Sequence, residues 1–403
     1  MSIVSSLPEH EHDRDRLPFT LRRLILLQAV MNTCQFIALP FLALGLSTIP
    51  DIGLAGAGVA IGTYLGVGRI SPLLLGPLAD RVGLWRMVCT GLAVRGACLL
   101  LVPLISNTSG AIGVAIFLGL GVAAYETGIY GVMAAQPAKY REHLLMANVQ
   151  ALNVGCMVGP VIGFAAVMVS FQLAFIIPAV VFVSLSLTCV LNHHTEYRCA
   201  SEGTVTANIM RVLKDRQFLW MCLALVPFWA LFAQLFGALP VLMARATDSD
   251  AMAGTVIFLN GFVGFCAVPL YAYLAKRLSA LALSAVGCGL GAVATWFLGP
   301  WAGAAFLVLL ISLFSIAETF VTTAADVTTS RFADGKSTGS YFSVLNVSIG
   351  LGSAIGAPLG MMAISGDGQV SFALVGMAGI VSLFMLLLGG KPTTAHARNV
   401  LEK

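Results

Sequence analysis

The sequence predicts an all-α integral membrane protein of twelve transmembrane helices, arranged as two six-helix bundles around a central cavity. Three observations carry this prediction. Hydrophobic residues make up 58% of the 403 residues and charged residues only 10%, against about 25% charged residues in a typical soluble protein. Apolar runs long enough to cross a bilayer recur along the whole chain. Short sequence matches at equivalent places in the two halves indicate an internal repeat.

Each of the twelve apolar runs is predicted to cross the bilayer as a helix. A helix satisfies its own backbone hydrogen bonds in lipid, and about 20 residues suffice to cross the hydrocarbon core. The predicted spans are residues 24–46, 52–75, 85–106, 110–135, 144–168, 171–192, 218–243, 251–275, 280–299, 302–326, 338–363 and 370–390. The chain therefore divides into a tail (1–22), a bundle (23–192), a linker (193–217), a second bundle (218–391) and a tail (392–403).

The basic residues predict the orientation in the membrane. Of the 22 lysines and arginines, 19 fall on the side of the two termini and only Arg245 falls on the opposite side. Because cytoplasmic segments carry the excess of basic residues, both termini are expected in the cytoplasm of a cell (inner) membrane. The polar stretch HEHDRDR near the start is unlike a signal peptide.

Several functional classes are excluded by what the sequence lacks. The net charge of +4 is too small to indicate nucleic-acid binding, and the nine cysteines have no metal-ligand spacing. No catalytic triad appears, so no enzyme is expected. AspGlyLysSer at 334–337 ends like a phosphate-binding loop, but position 330 is Ser330 rather than glycine. We therefore expect no cofactor and no bound metal, with a proton gradient as the energy source.

Three short matches indicate that the halves are repeats. AlaLeuPro occurs at 38–40 and 238–240, GluThr at 126–127 and 318–319, and LeuAsnVal at 152–154 and 345–347. Each match is weak alone, but all three keep their order and their place within the half. A duplicated bundle is typical of transporters that bind their substrate between the halves.

The stretch GPLADRVG follows the second predicted span as a charged turn. It matches the G-x-L-A-D-R-x-G loop and thereby resembles the major facilitator superfamily, although Leu84 and Trp85 stand where that family usually has basic residues. The resemblance implies a loop that latches the two halves in the outward-facing state. The residues that would form this latch are Gly76, Asp80, Arg81 and Gly83. A plain charged turn is the alternative interpretation.

A second motif lies in the fifth predicted span, where Gly155, Gly159 and Gly163 recur every four residues and share one helix face. Such a face permits close helix packing, and Pro160 adds a local kink. The pattern resembles the signature of twelve-span drug:proton antiporters, with Phe164 in place of a further glycine. Generic small-residue packing is the alternative.

Four charged residues fall at membrane depth, where charge is costly and indicates function. Glu126, Glu318 and Arg95 are predicted roughly 15 Å deep, and Arg69 about 10 Å. The resemblance implies that Glu126 and Glu318 face each other across the cavity and carry protons or attract a cationic substrate. Alternatively, Glu126 pairs with Arg95, or the two arginines bind an anionic substrate or make structural contacts.

Further candidates for the cavity wall lie in the first and seventh spans. Gln28, Asn32 and Gln35 share one helix face, where they either line the cavity or bond to a neighbouring helix. The seventh span offers an aromatic wall suited to bulky apolar or cationic ligands. Its members are Phe228, Trp229, Phe232, Gln234 and Phe236.

These patterns together predict a secondary transporter, a proton-coupled exporter of small amphiphilic, drug-like compounds that works by alternating access as a monomer in the lipid bilayer. Export of one anionic metabolite or siderophore bound by the arginines is the alternative, and import is less favoured. A non-transporting sensor would need a sizeable soluble domain, and the sequence predicts none.

Overall fold

The computed structural model describes residues 19–191, 205–333, 338–365 and 371–389, and every regular element in these ranges is helical. Residues 1–18 of the N-terminal tail, the whole C-terminal tail and part of the linker fall outside them, as does the rejected phosphate-loop motif. The helices are α1 (Phe19–Ser47), α2 (Gly53–Ile70), α3 (Pro72–Val82), α4 (Leu84–Leu101), α5 (Thr108–Ala134), α6 (Ala138–Val169), α7 (Leu173–Leu191), α8 (Val205–Val212), α9 (Arg216–Phe232), α10 (Ala238–Thr247), α11 (Thr255–Leu274), α12 (Ala280–Trp296), α13 (Ala304–Phe332), α14 (Thr338–Ser365) and α15 (Phe372–Gly389).

The helices confirm a polytopic membrane protein. Ten segments of the described ranges are long and apolar enough to cross a bilayer, and the bent pair of α2 and α3 makes eleven. The predicted span 280–299 coincides with α12, which has 17 residues. At about 1.5 Å per residue, α12 is shorter than a typical hydrocarbon core. Every predicted span overlaps a helix, and the count of twelve stays a prediction.

Two predicted spans are not continuous helices. The second span bends by 43° between α2 and α3, where Pro72 begins the new helix. The seventh span breaks after Phe232 into a 3₁₀ turn, and α10 begins after Gly237. Proline lacks the backbone N–H that a continuous helix would need, and glycine tolerates the backbone angles of a break.

The stretch GPLADRVG is mostly helix rather than a turn. Helix α3 runs through Val82, and the direction changes only at Gly83, whose φ of 102° suits glycine. The apolar residues before it continue the helical pattern to the last turn. The expectation of a compact charged turn at 76–83 was therefore wrong for all but its last residue.

Each half packs its helices in the same set of pairs. In the first half, α1 packs on α6 and α7, α2 on α5, and α4 on α5 and α7. In the second half, α9 packs on α14 and α15, α11 on α13, and α12 on α13 and α15. Helices that occupy the same place in the order of each half therefore have corresponding partners.

The glycine face of α6 packs against α1. A Cβ at Gly155 would lie 2.6 Å from the Asn32 Cβ, and one at Gly159 would lie 2.6 Å from the Thr33 carbonyl oxygen. Gly163 approaches Ile37 in the same way, and Pro160 lies inside the helix. The predicted close packing is confirmed, whereas its link to antiport is not tested by it.

A second glycine face, which we did not predict, lies on α14. Gly352, Gly356 and Gly360 recur every four residues, and each contacts the α9 segment or the turn that follows it, at Val226, Ala230 and Gln234. Helix α14 thus meets α9 as α6 meets α1. The sequence GLGSAIGAPLG carries this spacing and could have revealed the second face.

Substitution of Gly356 by valine is expected to destabilise the second half, because the added Cβ would overlap the Ala230 backbone. Overpacking of this kind costs about 1–3 kcal/mol. Thermal unfolding in detergent should show a lowered Tm. The matched control is Gly289→Val on α12, where no atom lies within 4 Å of the added Cβ. Equal Tm values for the two variants would contradict the prediction.

The two halves meet mainly through two helix pairs. Helix α2 packs along α14, where a Cβ at Gly62 would lie 2.6 Å from the Ala354 carbonyl oxygen, and α6 packs on α11. The segment from α10 to α11 also contacts α1 and α6. Helices α5 and α13 take no part in these main contacts. We call the region between α5 and α13, the helices that carry Glu126 and Glu318, the gap between the halves.

Candidate functional site

A cluster of ionisable side chains spans the gap between the halves. The half-exposed Tyr130 of α5 lies within electrostatic range of Glu126 on its own helix, of Arg69 on α2 and of Asp326 on α13. Arg69 Nη1 also donates a hydrogen bond of 3.4 Å to Asn346 Oδ1 on α14. The structure therefore brings Arg69 and Glu126 together with two polar residues of the second half.

Asp326 and Asn346 were missed as site residues. The tenth span was predicted to end at 326, which placed Asp326 at the membrane surface, but α13 continues to Phe332. Asp326 thus lies more than one helical turn inside the helix, within electrostatic range of Arg69. The run TAADVTTSRF keeps helix-compatible residues beyond 326, and this signal could have extended the span.

Glu318 lies in a separate polar group at the contact between α13 and α11. The Asn260 side chain lies beside its carboxylate, and Ser315 Oγ donates a hydrogen bond of 2.9 Å to Asn260 Oδ1. Cys156 of α6 is within electrostatic range across the interface between the halves. Asn260 was not predicted as a site residue, because a single asparagine in an apolar span carries no distinctive spacing.

Glu126 and Glu318 do not meet in this conformation. The polar partner of Glu318 is Asn260, whereas Glu126 belongs to the cluster around Tyr130. Both carboxylates are half-buried. The two carboxylates thus belong to two separate polar groups rather than to one facing pair. Their place on the wall of a central cavity stays a prediction.

Arg95 is sealed inside the first bundle. Only 2% of its surface is exposed, and its guanidinium donates to Gln35 Oε1 at 2.7 Å and to the Met31 sulfur at 3.0 Å. The Phe182 ring lies 4.5 Å from its Cζ. Within the described ranges no carboxylate forms an ion pair with it, and Glu126 acts on it only at longer range. The alternative of a Glu126–Arg95 pair is therefore not formed here.

The polar stripe of α1 faces its neighbours rather than the gap. Gln28, 3% exposed, accepts a hydrogen bond from the Tyr125 hydroxyl and donates one to Asn148. Asn148 in turn donates to the Tyr130 hydroxyl at 3.2 Å. Asn32 is buried against α6, and Gln35 bonds Arg95. Of the two alternatives, the structure thus favours bonding to a neighbouring helix over cavity lining.

The aromatic wall of the seventh span is packed inside the second bundle. Trp229 is 1% exposed, and its ring meets Phe228 and Phe232 edge to face. Gln234 Nε2 donates to the carbonyl oxygens of Ala230 and Gly356. Phe236 is also buried, so Phe232 alone of this set is half-buried. In this conformation the wall serves packing, because large rings fill the space against α14 and α15.

The predicted latch segment lies at the end of α3. Arg81 is exposed, and no atom lies within 4 Å of the position that a Cβ would take at Gly76. Gly83 ends the helix with a positive φ. The side chain of Asp80 lies outside the described part, so the latch stays a prediction.

Comparison with known proteins gives one family. The family model described as Major Facilitator Superfamily matches residues 24–346 and 237–403. Among curated proteins, an uncharacterized MFS-type transporter of Mycobacterium tuberculosis is 26% identical over 55% of this chain, and the match spans only 53% of that protein.

Two further relatives are matched over most of their length. A Na(+), Li(+), K(+)/H(+) antiporter of Planococcus maritimus is 25% identical, covering 91% of this chain and 95% of that protein. The multidrug resistance protein MdtH of Aeromonas hydrophila is 23% identical over 87% of this chain and 90% of that protein. Among solved structures, a POT family transporter in complex with a thioalcohol-conjugated peptide superposes with a TM-score of 0.77 at 14% identity, covering 94% of this chain and 97% of that one. That likeness concerns the fold alone.

Proposed function

Since the chain belongs to the Major Facilitator Superfamily and is a multi-pass membrane transporter rather than an enzyme, we propose that it exports small cationic, amphiphilic compounds in exchange for protons. The observation that carries this proposal is the charge of the gap between the halves. Glu126, Glu318 and Asp326 lie on its two flanking helices, and one arginine, Arg69, accompanies them.

An acidic cavity favours a cation over an anion. A carboxylate at membrane depth is costly when charged and alone, so it binds a proton or pairs with a cation. Proton and cationic cargo then compete for the same groups. That competition is the basis of antiport, because the binding of one expels the other.

Glu318 is the residue that we assign to proton coupling. Asn260 lies beside its carboxylate, and Ser315 donates a hydrogen bond to Asn260. Gly261 follows Asn260 and packs its backbone on Cys156 of α6, where an added Cβ would lie 2.9 Å from the Cys156 Cβ. Glu318 therefore lies beside the contact between α6 and α11, one of the two helix pairs that join the halves. A negative charge on Glu318 would disfavour the conformation in which these two helices are packed together.

The anionic alternative has less support. Arg95 is sealed in the first bundle, and Arg69 bonds Asn346 beside Asp326. An anionic metabolite or siderophore would have to displace these contacts and tolerate the nearby carboxylates of Glu126 and Asp326. The glycine face of α6 supports export, because it resembles the drug:proton antiporter signature, and import remains the less favoured direction.

A second candidate function is exchange of a monovalent metal cation for protons. Glu318, Asn260 and Ser315 place oxygen ligands together, and oxygen ligands suit alkali cations. The relative from Planococcus maritimus, an antiporter of Na⁺, Li⁺ and K⁺ by name, supports the same function. The multidrug relative supports the organic cation.

The proposal includes the wider architecture. Twelve spans would form two repeated bundles, 23–192 and 218–391, with both termini in the cytoplasm of a bacterial inner membrane. The corresponding helix pairs and the two glycine faces support the repeat. The basic residues support the orientation.

Inside-out vesicles with an acidic lumen test the proposal. Cationic dyes, carboxylate siderophores and the chloride salts of Na⁺, Li⁺ and K⁺ are added singly while the lumenal pH is followed. We expect organic cations to discharge the gradient in vesicles that contain the protein and not in vesicles without it. Discharge by the metal salts alone would select the second candidate, and discharge by the siderophores alone would overturn both.

A further inference from the structure

Arg95 is a buried cation without a counterion in contact. Its guanidinium meets a sulfur, an amide oxygen and two aromatic rings, all of them neutral. Its Nε has no hydrogen-bond partner among the described residues. A charge held this way in a helical bundle is costly unless a group of opposite sign accompanies it. The proposed function uses Arg95 for neither cargo nor protons.

A small cavity adjoins Arg95 at the centre of the first bundle. Its volume is about 20 Å³, and Gln35, Tyr64 and Arg95 supply its polar wall. The remaining wall is apolar and includes Leu39, Leu99 and Phe182. By this measure one water needs about 10–15 Å³, so the space beside Arg95 suits one small species.

Hydrogen-bond donors dominate the polar wall. Gln35 Oε1 is already bonded to Arg95 at 2.7 Å, which leaves the Gln35 amide N–H₂ as its free group. Neither that amide nor the Tyr64 hydroxyl bonds an acceptor within the described ranges. Together with Arg95 Nε, two neutral donors and one cation therefore surround the same space.

We propose that this cavity binds one small monovalent anion of the size of chloride, held by Arg95, Gln35 and Tyr64. Charge and donor groups favour an anion over a metal cation, and the small volume favours a monatomic anion over phosphate, sulfate and carboxylate compounds. A neutral water would satisfy the donors but would leave the charge of Arg95 uncompensated. The site joins α1, α2 and α4, so an occupant stabilises the first bundle from within.

This anion site is separate from the cargo site of the proposed function. Arg95 is 2% exposed and Tyr64 6% exposed, and the half-buried Gln35 bonds Arg95 rather than a residue of the second half. Glu126 is the one described carboxylate within electrostatic range of Arg95, and it forms no ion pair with Arg95. The anion would therefore be a structural ligand, and its binding does not require that the protein exports cations.

Halide-dependent stability tests the proposal on the purified full-length protein in detergent. Tm is measured over a range of chloride and bromide concentrations, with gluconate keeping the ionic strength constant. We expect a saturable rise in Tm of a few degrees with both halides. Tyr64→Phe and Gln35→Leu should each raise the half-saturating concentration several-fold, and Arg95→Gln should abolish the dependence. Crystals grown in bromide should show an anomalous peak beside Arg95.

The matched control is Arg69→Gln, which removes the other intramembrane arginine and should leave the halide dependence unchanged. Equal wild-type Tm values in gluconate and halide would overturn the proposal, and so would unchanged half-saturation in both Tyr64→Phe and Gln35→Leu. These two variants keep Arg95, so the test stands even where Arg95→Gln fails to fold. Loss of the halide response in Arg69→Gln would also overturn it, since the anion would then lie in the gap.

Discussion

Replacement of Glu318 by glutamine is expected to lower proton-coupled transport by about 100-fold, a magnitude typical for loss of a proton-transferring side chain. Glutamine keeps the size of the side chain and can still bond Asn260, but it neither binds nor releases a proton. The variant should therefore retain binding of the cargo and exchange of labelled for unlabelled cargo across the membrane. Gradient-driven uptake into inside-out vesicles is the measurement.

Two controls separate coupling from folding. Glu318→Asp keeps the carboxyl group at a shorter reach and should restore part of the coupled transport. Asp51→Asn removes an exposed carboxylate from the loop before α2 and should behave as wild type. If Glu318→Gln still discharges the proton gradient when cargo is added, then Glu318 does not couple, and Glu126 and Asp326 become the candidates.

The substitution Gly62→Val is expected to lower transport by about fivefold or more, because it separates the two halves where α2 packs along α14. The added side chain would meet the Ala354 carbonyl oxygen and the Pro358 ring, with the Cβ 2.6 Å and 3.0 Å from them. Overpacking costs about 1–3 kcal/mol, and each 1.4 kcal/mol shifts a conformational equilibrium about tenfold. The conformation described here should lose population to one in which α2 and α14 are apart.

Initial transport rates and Tm values for Gly62→Val are compared with those for Gly113→Val. Gly113 lies on α5 with no atom within 4 Å of an added Cβ, so the same change of side chain adds no contact there. We expect a large loss of rate for Gly62→Val alone, with the protein still folded. Equal transport rates for the two variants would contradict the prediction. They would show that the packing of α2 on α14 does not limit the transport cycle.

Much of the fold could be predicted because a membrane imposes simple rules on the sequence. Each span that hydropathy predicted overlaps a helix of the structure, because a segment that crosses a bilayer must be apolar over its length. The family resemblance rested on short local motifs, which need no tertiary information. Breaks such as those at Ser71 and Gly237 were missed, because hydropathy averages over a window and does not respond to a single residue that ends a helix.

The sequence by itself determined the class of protein and the approximate positions of the helices, because these follow from composition and order along the chain. Only the tertiary structure decided what each charge meets. It buried Arg95 among neutral groups, placed Asp326 within electrostatic range of Arg69 and placed Asn260 beside Glu318. These pairs depend on how each helix is rotated about its own axis. Close contacts such as that of Gly155 with Asn32 set the rotation, and a single sequence does not specify it.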